Sequence, residues 1–482
     1  MWKAFTLAAL LLIAPCSAEL GRIRLTQPGF DYVAGKIPGA LNRKKSQIVG
    51  QQTPGFSKRF SRAVKVQAYP GRVTAFSSPS FSLRPTGPNS LLAQATGGGY
   101  ARVDGRGRVR LIFVKNSFRY VVHLSNLRVS LDTAMHRQGG TGALQMAARG
   151  CRADIGGVKL EIHGSGIAHI LKLFKRLGER IIKRAVAPKI CAALTSVIRR
   201  ETNTYLATVD LSVPAFADTT LHFSLERGPQ MRTNAWMDLN VAGKLVEQRT
   251  GRETSLPTAP LAGSELRSKM IYAWLSDGAV NAVLKSAHDG GLLQFGFSKD
   301  DFKPEVAALL STDCKDGGPI TVGCLFPKLS KDMPGTHVGM RLNSAVPPEI
   351  RFEDGRATLA LTAHMRMLVD KPKDGLVLKG SVSFKAALSL GLRRTSGGHV
   401  VYGELGGDNS LRLVVTESRV GPVVKEALET LSRLSEPFVF KALNKRIQKG
   451  HRLPTTPRVE LVSPELAVEP GALRVGTSMR YD

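Results

Sequence analysis

Two long segments with the pattern of amphipathic helices, each interrupted by a proline, constrain the fold of this chain most strongly. The first covers residues 166–191, GIAHILKLFKRLGERIIKRAVAPKIC, and contains Pro188. The second, GPVVKEALETLSRLSEPFVFKALNKRI, contains Pro437 in the corresponding place. At about 100° per residue, large apolar residues of the first segment share one arc of the helix surface. That arc is made by Ile167, Ile170, Leu171, Phe174, Leu177, Ile181, Ile182 and Ala185.

The basic residues on the other side of the first helix allow two interpretations. A helix with one apolar and one cationic face can lie flat on an anionic membrane. It can instead pack its apolar face on a protein core and leave its charges in water. Core packing is the commoner arrangement, and a second helix with the same plan favours it. We therefore interpret residues 166–191 as a long structural helix whose apolar arc lies in a core or pocket wall.

Alternating runs typical of β-strands precede each helix. They are VRLIFV (109–114), FRYVVHLS (118–125) and LRVSLDT (127–133) in the first half, and residues 357–369, 376–393 and 411–418 in the second. Each half also opens with a stretch that we predict to be helical, GFDYVAGKIPGALNRKK and SKMIYAWLSDGAVNAVLKSAH. The sequence thus predicts a duplicated α+β fold, in which mostly antiparallel strands curl around a long helix twice.

Composition divides the chain into a leader and two domains joined by a linker. Residues 1–18 have the charged, apolar and small-residue regions of a secretory signal peptide, which predicts an exported, extracellular protein. Residues 248–264 are rich in Pro, Gly, Ser and Thr and are interpreted as the linker. The predicted domains are therefore 19–247 and 265–482.

Four cysteines remain after the signal peptide, and an even number in an oxidising compartment predicts disulfides. Cys314 and Cys324 bracket a short loop, so a bond across it is the simplest pairing. Cys151 would then pair with Cys191 and connect a strand region to the end of the long helix.

Positive charge is concentrated in the first half of the chain. Residues 19–245 hold 35 Lys and Arg against 12 Asp and Glu, whereas residues 246–482 hold 32 against 26. This asymmetry predicts that the N-terminal domain meets a polyanion or an anionic surface. Aromatic residues are not interleaved with the basic ones, so a dedicated nucleic-acid site is not expected.

Catalytic motifs of the common enzyme classes are absent from the sequence, including G-x-S-x-G, H-E-x-x-H and the P-loop. The histidines are scattered and no CxxC is present, so neither a metal site nor a thiol oxidoreductase is expected. We predict a protein that binds rather than catalyses.

Three segments carry a family resemblance. They are RIRLTQPGFDYV near the start, KMIYAWLSDGAVNAVL at the start of the second half, and LNKRIQKGHRLPTTPRVELVSPEL followed by GALRVGTSMRYD at the end. All three resemble the family of bactericidal/permeability-increasing protein and lipopolysaccharide-binding protein. The spacing of Cys151 and Cys191 fits the single disulfide shared by that family, and Cys314 and Cys324 look like an addition to it.

The resemblance implies an elongated boomerang of two similar tubular domains. Each would be a highly curved antiparallel sheet wrapped around a long helix, joined through a central sheet, with a phospholipid-like ligand in an apolar pocket. It further implies a secreted, antimicrobial protein of innate immunity that binds lipopolysaccharide or anionic phospholipid and contacts bacterial or other lipid surfaces peripherally. No cofactor other than a bound phospholipid is expected. The alternatives are a phospholipid transfer protein without a defence role and a structural or odorant-type ligand carrier.

Residues 104–120, DGRGRVRLIFVKNSFRY, contain the main candidates for binding an anionic head group. DGRG is interpreted as a turn, and Arg106, Arg108 and Arg110 alternate on one face of the segment after it. Lys115 and Arg119 flank a second predicted turn, KNS. Guanidinium groups bind phosphates bidentately, which suits a lipid A or phospholipid head group. The alternative is a solvated strand edge protected by charge; Arg72, in AYPGRVT, is a further candidate.

Acyl chains need a continuous apolar lining, because each buried CH₂ contributes only about 0.8 kcal/mol. Candidate lining residues in the first half are Phe30, Val33, Ile37, Ile170 and Phe174. Met270, Ile271 and Trp274 are interpreted as their counterparts in the second half. Each of these positions also suits an ordinary core.

Overall fold

The computed structural model describes residues 20–481 apart from 44, 54, 60, 113, 140–141, 165–167, 209–211, 217–218, 257–260, 371–374, 407–410 and 454–458. Within them, curled antiparallel sheets combine with helices, so the predicted α+β class is confirmed. The predicted signal peptide lies outside the described residues. No described helix combines the length and the apolar character needed to cross a bilayer.

A central sheet draws its strands from both halves of the chain, in the order β10-β11-β13-β1-β15-β25-β24, with β12 and β14 also paired to β13. Its strands are β1 (Gly21–Thr26), β10 (Ser212–Phe216), β11 (Thr219–Leu225), β12 (Gln230–Arg232), β13 (Trp236–Glu247), β14 (Glu253–Ser255), β15 (Ile271–Ser276), β24 (Val459–Glu469) and β25 (Ala472–Tyr481). Because β1 pairs with β13 on one side and β15 on the other, one ladder of hydrogen bonds joins the halves.

An N-terminal sheet has the order β2-β3-β7-β8-β6-β5, with β4 also paired to β7 and β9 to β8. Its strands are β2 (Phe56–Arg59), β3 (Val64–Ala68), β4 (Arg72–Ser77), β5 (Phe81–Gly87), β6 (Ser90–Ala95), β7 (Tyr100–Leu111), β8 (Val114–Arg137) and β9 (Leu144–His163). β8 and β9 are the longest strands of this sheet, and they pair with each other.

A C-terminal sheet has the order β16-β17-β19-β20-β21-β23, with β18 also paired to β19 and β22 to β20. Its strands are β16 (Gln294–Phe297), β17 (Val338–Ser344), β18 (Glu349–Glu353), β19 (Arg356–Val369), β20 (Gly375–Thr395), β21 (Gly398–Gly406), β22 (Arg412–Ser418) and β23 (His451–Arg452).

The described helices include the two long proline-containing ones, α3 and α9. The bounds are α1 (Gln27–Arg43), α2 (Lys45–Ile48), α3 (Ala168–Val197), α4 (Asn203–Thr208), α5 (Asp277–Asp289), α6 (Pro304–Ala307), α7 (Val322–Leu325), α8 (Pro327–Asp332) and α9 (Lys425–Ile447). A π-helical turn, Ile198–Thr202, continues α3 into α4, and 3₁₀ turns cover Lys299–Asp301 and Ala308–Leu310. Pro188 and Pro437 both lie inside their helices, as predicted.

Two predicted turns in residues 104–120 are wrong. DGRG lies inside β7, and KNS lies inside β8. The hairpin instead turns after Leu111, with Ile112 in the turn, and β8 begins at Val114. The glycines belong to the strand because large rings of β8 occupy the space beside them: a Cβ on Gly107 would lie 2.8 Å from the Gln67 carbonyl oxygen and would collide with Phe118.

The helix predicted to open the second half is also partly wrong. Residues 271–276 form strand β15, in which Tyr272, Trp274 and Ser276 are buried and alternate with half-buried residues. The helix α5 begins only at Asp277, after the Ser276 side chain accepts a hydrogen bond from the Ala279 backbone N–H at 3.1 Å. Ile271 and Trp274 therefore lie on a strand, not at positions equivalent to those of α1.

The two long helices are buried to different extents. In α9, Leu431, Phe438 and Val439 are at most 1 % exposed and belong to one continuous core with the C-terminal sheet. The space left beside Phe438 is about 10 Å³, room for about one water. In α3, by contrast, Gly178 is the only buried residue among those whose side chains are described, and Ile181 and Ile182 stay half-buried.

Both predicted disulfides are present. Cys151 in β9 bonds to Cys191 in α3, and Cys314 bonds to Cys324. The first bond attaches the long helix to the N-terminal sheet. Two polar contacts do the same: Lys183 pairs with Asp154 at 2.9 Å, and Glu179 accepts a hydrogen bond from the Leu160 backbone at 3.1 Å.

Candidate functional site

The outer surface of β7 and β8 carries the basic residues predicted from the sequence. Strand alternation directs Val109, Phe118 and Tyr120 into the N-terminal core. The same alternation exposes the five predicted basic residues of this hairpin to solvent, namely Arg106, Arg108, Arg110, Lys115 and Arg119.

Strand register assembles these residues with others into rows. One row crosses four strands and contains Arg59, Lys65, Arg110 and Lys115, each directly opposite the next. Another contains Arg106, Arg119 and His163. We call Lys65, Arg106, Arg108, Arg110, Lys115 and Arg119 the basic face; it extends about 13 Å along the strands and about 10 Å across them.

Sheet stability does not account for the basic face. Like charges directly opposite each other on neighbouring strands are destabilising by about 0.2–1 kcal/mol per pair. Protection of a sheet edge, the alternative interpretation, accounts for Arg59 on the edge strand β2 and for Lys115, where β7 is the described partner of β8. It does not account for Lys65 and Arg110, because β3 and β7 are paired on both sides at these positions. The sequence has no acidic residue between Asp31 and Asp104, and no basic-face side chain has an ion-pair partner in the part of the chain that the structure describes.

A short acidic boundary lies next to the basic face. Glu161 is 2.8 Å from the Lys159 ammonium, 3.7 Å from His123 and 4.0 Å from His163. The hydrogen bond from Lys159 is the main cause that lowers the pKa of the Glu161 carboxyl. Asp104, the other carboxylate of this boundary, pairs with Arg102 at 2.9 Å.

Arg72 lies at this boundary rather than within the basic face. It is exposed and directly opposite Asp104 in the register of β4 and β7. The structure therefore brings five of the six predicted head-group residues together and places Arg72 beside them.

The tip of the β7–β8 hairpin is apolar. Ile112 is 58 % exposed and Val114 is 55 % exposed, immediately beside Arg110 and Lys115. Ile112 also has a φ of 47°, a strained conformation for a β-branched residue. Exposed aliphatic side chains bordered by cations suit insertion into the head-group region of an anionic membrane.

The predicted pocket residues of the first half lie in different environments. Phe30 is buried with Leu91 and Met135, whereas Val33 is 40 % exposed and Ile37 is half-buried on α1. The backbone of α3 includes Ile170 and Phe174, but their side chains lie outside the described residues.

The predicted residues of the second half lie at the central sheet. Trp274 is 4 % exposed, and its indole N–H donates to Glu469 at 2.9 Å. Ile271 is half-buried in the same strand, and the Met270 sulfur accepts a hydrogen bond from the Met479 backbone at 3.4 Å. Met270, Ile271 and Trp274 are not part of the core that contains α9, whereas Phe30 is part of a core of the first half.

Sequence reasoning did not identify Arg59, Lys65 and the apolar tip as parts of the site. The alternation in KRFSRAVKV carries a signal for Lys65, but its alignment with Arg110 depends on the pairing of β3 with β7. Ile112 and Val114 lie in the predicted strand 109–114, where alternation places both on the same face as Arg110 and does not indicate an exposed tip.

No three His, Cys, Asp or Glu side chains of the described ranges come together as a possible metal site. The arrangement on the basic face can bind anions through guanidinium and ammonium groups. Among the described residues of the basic face, we find no nucleophile beside a general base that could carry out a reaction.

Comparison with known proteins agrees with this architecture. Residues 217–481 match the family model described as the C-terminal domain of the LBP / BPI / CETP family. The chain is 22 % identical over 487 residues to a bactericidal permeability-increasing protein of Sebastes schlegelii, covering 98 % of each chain. It is 23 % identical over 470 residues to the lipopolysaccharide-binding protein of Bos taurus, covering 95 % of this chain and 93 % of the relative.

A crystal structure of lipopolysaccharide binding protein has the same fold. It superposes with a TM-score of 0.60 at 20 % identity and covers 96 % of this chain and 99 % of the other. The family model, the full-length relatives and the shared fold establish that this chain belongs to the LBP / BPI / CETP family.

Proposed function

We propose that this protein is a secreted, non-catalytic lipid-binding protein whose basic face binds lipopolysaccharide or another anionic lipid, in antibacterial innate defence. Lys65 and Arg110, directly opposite each other on the interior strands β3 and β7, carry the proposal, because their repulsion has no structural compensation among the described residues. Relatives named for lipopolysaccharide binding and for bactericidal activity support it.

The geometry favours binding in two steps. The basic face attracts phosphate groups, and the apolar tip at Ile112 and Val114 then enters the interfacial region. The half-buried Ile181 and Ile182 of α3 and the exposed Val33 leave apolar surface in the first half that acyl chains can cover. The closely packed interior around α9 offers no comparable space, so we assign acyl-chain binding to the first half.

Binding to vesicles containing lipopolysaccharide or phosphatidylglycerol tests the basic face. Each Lys or Arg near an anionic surface contributes about 1 kcal/mol, so R106A/R108A/R110A should weaken binding about 100-fold and flatten its salt dependence. The matched control R356A/R433A/R446A removes three exposed arginines of the second half. Equal binding by the two triple variants would refute the proposal.

The apolar tip is tested without any change of charge. I112S/V114S should keep the salt-dependent first contact but insert into lipid monolayers only at lower surface pressure. Unchanged monolayer insertion would remove the tip from the proposal while leaving the basic face in it.

A phospholipid transfer role is the second candidate, favoured by the half-buried apolar residues Ile181 and Ile182 of α3. It predicts that vesicle-to-vesicle transfer of labelled phospholipid survives R106A/R108A/R110A. Native mass spectrometry provides the shared readout: one lipid per chain is expected, whereas two would contradict a closed interior in the second half.

A further inference from the structure

A groove of about 340 Å³ lies on the outer surface of the C-terminal sheet, on the side opposite α9. Leu361 and Phe384 face the core, so their neighbours Thr362, Ser383 and Lys385 face the groove. The loop containing Val346 and Pro347 forms one wall.

The groove lies where the outer partner strands of β19 and β20 are replaced by other strands. On both sides, the replacement occurs at about the same position along the β19–β20 pair. Along β19, pairing with β18 reaches Ala360 and pairing with β17 resumes at Ala363. Along β20, pairing with β22 reaches Ser383 and pairing with β21 resumes at Ala387. Over a few residues, therefore, no described strand pairs with the outer edges of the β19–β20 pair, apart from the hydrogen bond that the Ala345 backbone N–H donates to the Thr362 carbonyl oxygen at 2.8 Å.

Four polar side chains of the groove have no partner among the described residues. Arg412 is directly opposite Ser383, and Lys385 is the next residue on the same face; both cations are exposed and neither forms an ion pair within the described ranges. The hydroxyls of Thr362 and Ser383 likewise make no hydrogen bond there.

The one carboxylate among the described groove residues does not neutralise these cations. Glu349 pairs with Arg351 at 2.8 Å, and this hydrogen bond is the main cause that raises the pKa of Arg351. The groove thus keeps two positive charges and two free hydroxyls around a floor of small residues.

We propose that this groove binds an organic phosphate monoester. A dianionic phosphate matches one planar guanidinium, which binds two oxygens, together with one ammonium and hydroxyl donors. The volume falls in the range of small-molecule sites, about 300–1,000 Å³, which leaves room for an organic part against Val346 and Pro347.

The site is independent of the proposed function of the first half. It shares no residue and no sheet with the basic face, so either one can fail alone. All measurements are made on the full chain carrying R106A/R108A/R110A, so that phosphate bound at the basic face does not contribute.

The probe is glycerol 3-phosphate, titrated by calorimetry at constant ionic strength, with phosphatidic acid in phosphatidylcholine vesicles as the membrane-borne form of the same group. K385Q/R412Q should raise the dissociation constant about tenfold or more. The matched control K303Q/R433Q, which removes two exposed cations elsewhere in the second half, should change it less than twofold.

A second variant separates groove occupancy from charge. S383W fills the groove from an outward-facing position without altering net charge and should also abolish binding. Binding of the soluble probe identifies a soluble ligand, and binding of phosphatidic acid vesicles alone identifies a lipid head group. Binding of neither probe, or equal binding by K385Q/R412Q and its control, overturns the proposal.

Discussion

Gly105 and Gly107 lie directly opposite Tyr120 and Phe118 on the inner side of the N-terminal sheet. Their missing side chains leave space for the two rings, and the Tyr120 hydroxyl donates to the Tyr69 carbonyl oxygen at 2.7 Å. Burial raises the pKa of Tyr120. Because the two glycines have no side chain, the aromatic rings can pack closely across the strands. With the rings on the inner face, the arginines that alternate with the glycines lie on the outer face.

Substitution at Gly107 tests this packing. Gly107→Ala should lower the free energy of unfolding by about 1–3 kcal/mol, because the Cβ meets a backbone oxygen that cannot move cheaply. Gly35→Ala is the control: it lies inside α1 with nothing within 4 Å, so alanine should be neutral or stabilising there. Chemical denaturation measures both, and equal stability of the two variants would contradict the packing role.

Glu161 limits the charge of the basic face, so its removal should strengthen binding. Glu161→Gln should tighten binding to anionic vesicles about fivefold, or about 1 kcal/mol for one charge. Because the pKa of Glu161 is lowered, its charge is present at neutral pH and persists on acidification. The difference between wild type and variant should therefore hold from pH 7 to 5 and disappear only at a pH below the ordinary pKa of a glutamate carboxyl.

The matched control for this experiment is Glu429→Gln. Glu429 is an exposed carboxylate of α9 that pairs with Lys425 at 3.9 Å, away from the N-terminal sheet. A similar gain in binding from both variants would show that net charge, rather than the position of Glu161, controls binding.

Among the elements, α3 and α9 show how one sequence pattern leads to two degrees of burial. Both are long and amphipathic and contain a proline. Phe438 and Phe440 of α9 enter a continuous core, whereas the described side chains of α3 include no aromatic residue. The helix α3 is held to β9 by a disulfide, an ion pair and one hydrogen bond in addition to partial packing. It is therefore the helix better suited to move when a ligand enters.

Removal of the α3 disulfide tests this attachment. The bond closes a sequence separation of 40 residues, so C151S/C191S should lower the free energy of unfolding by about 4 kcal/mol. C314S/C324S, with a separation of 10, should cost about 3 kcal/mol.

Hydrogen exchange locates the effect of each disulfide. Faster exchange in α3 is expected only for C151S/C191S, because α9 has its own packed core. Unchanged exchange in α3 would show that packing alone holds this helix to the sheet.

For the molecule as a whole, a buried polar cluster in the central sheet connects the two halves. Arg24 is 1 % exposed, forms two 2.7 Å hydrogen bonds with Asp238, and lies 4.0 Å from the Trp236 ring. It also donates to the Ser264 carbonyl, and Arg22 donates to the carbonyls of Leu261 and Ala262 at 3.0 Å. The segment interpreted as a linker is thus fastened to the sheet at these residues.

Breaking this cluster should uncouple the halves. Asp238→Ala leaves a buried guanidinium unpaired and should cost about 3–5 kcal/mol, with unfolding separating into two transitions. R24M/D238L should lose less than the single variant, since the buried guanidinium of Arg24 is removed together with its carboxylate partner. Asp289→Ala, which breaks an exposed pair with Lys285, is the control and should cost little. A double variant less stable than D238A would contradict this account.

The sequence by itself determined the duplicated α+β plan, both cysteine pairings, the placement of both prolines within long helices and the concentration of charge in the first half. These depend on periodicity, composition and short separations, which are local properties. It misplaced the turns of residues 104–120 and the start of α5, because glycine and apolar runs are ambiguous until their neighbours are known.

Only the tertiary structure decided which cations of the basic face are neighbours. It also decided that the interior around α9 is closely packed and that a groove lies on the outer surface of the C-terminal sheet. Lys65 and Arg110 are 45 positions apart in the sequence and become neighbours solely through the register of β3 and β7. Register depends on the simultaneous packing of many distant residues, and alternation within one strand can set only the face on which a side chain lies.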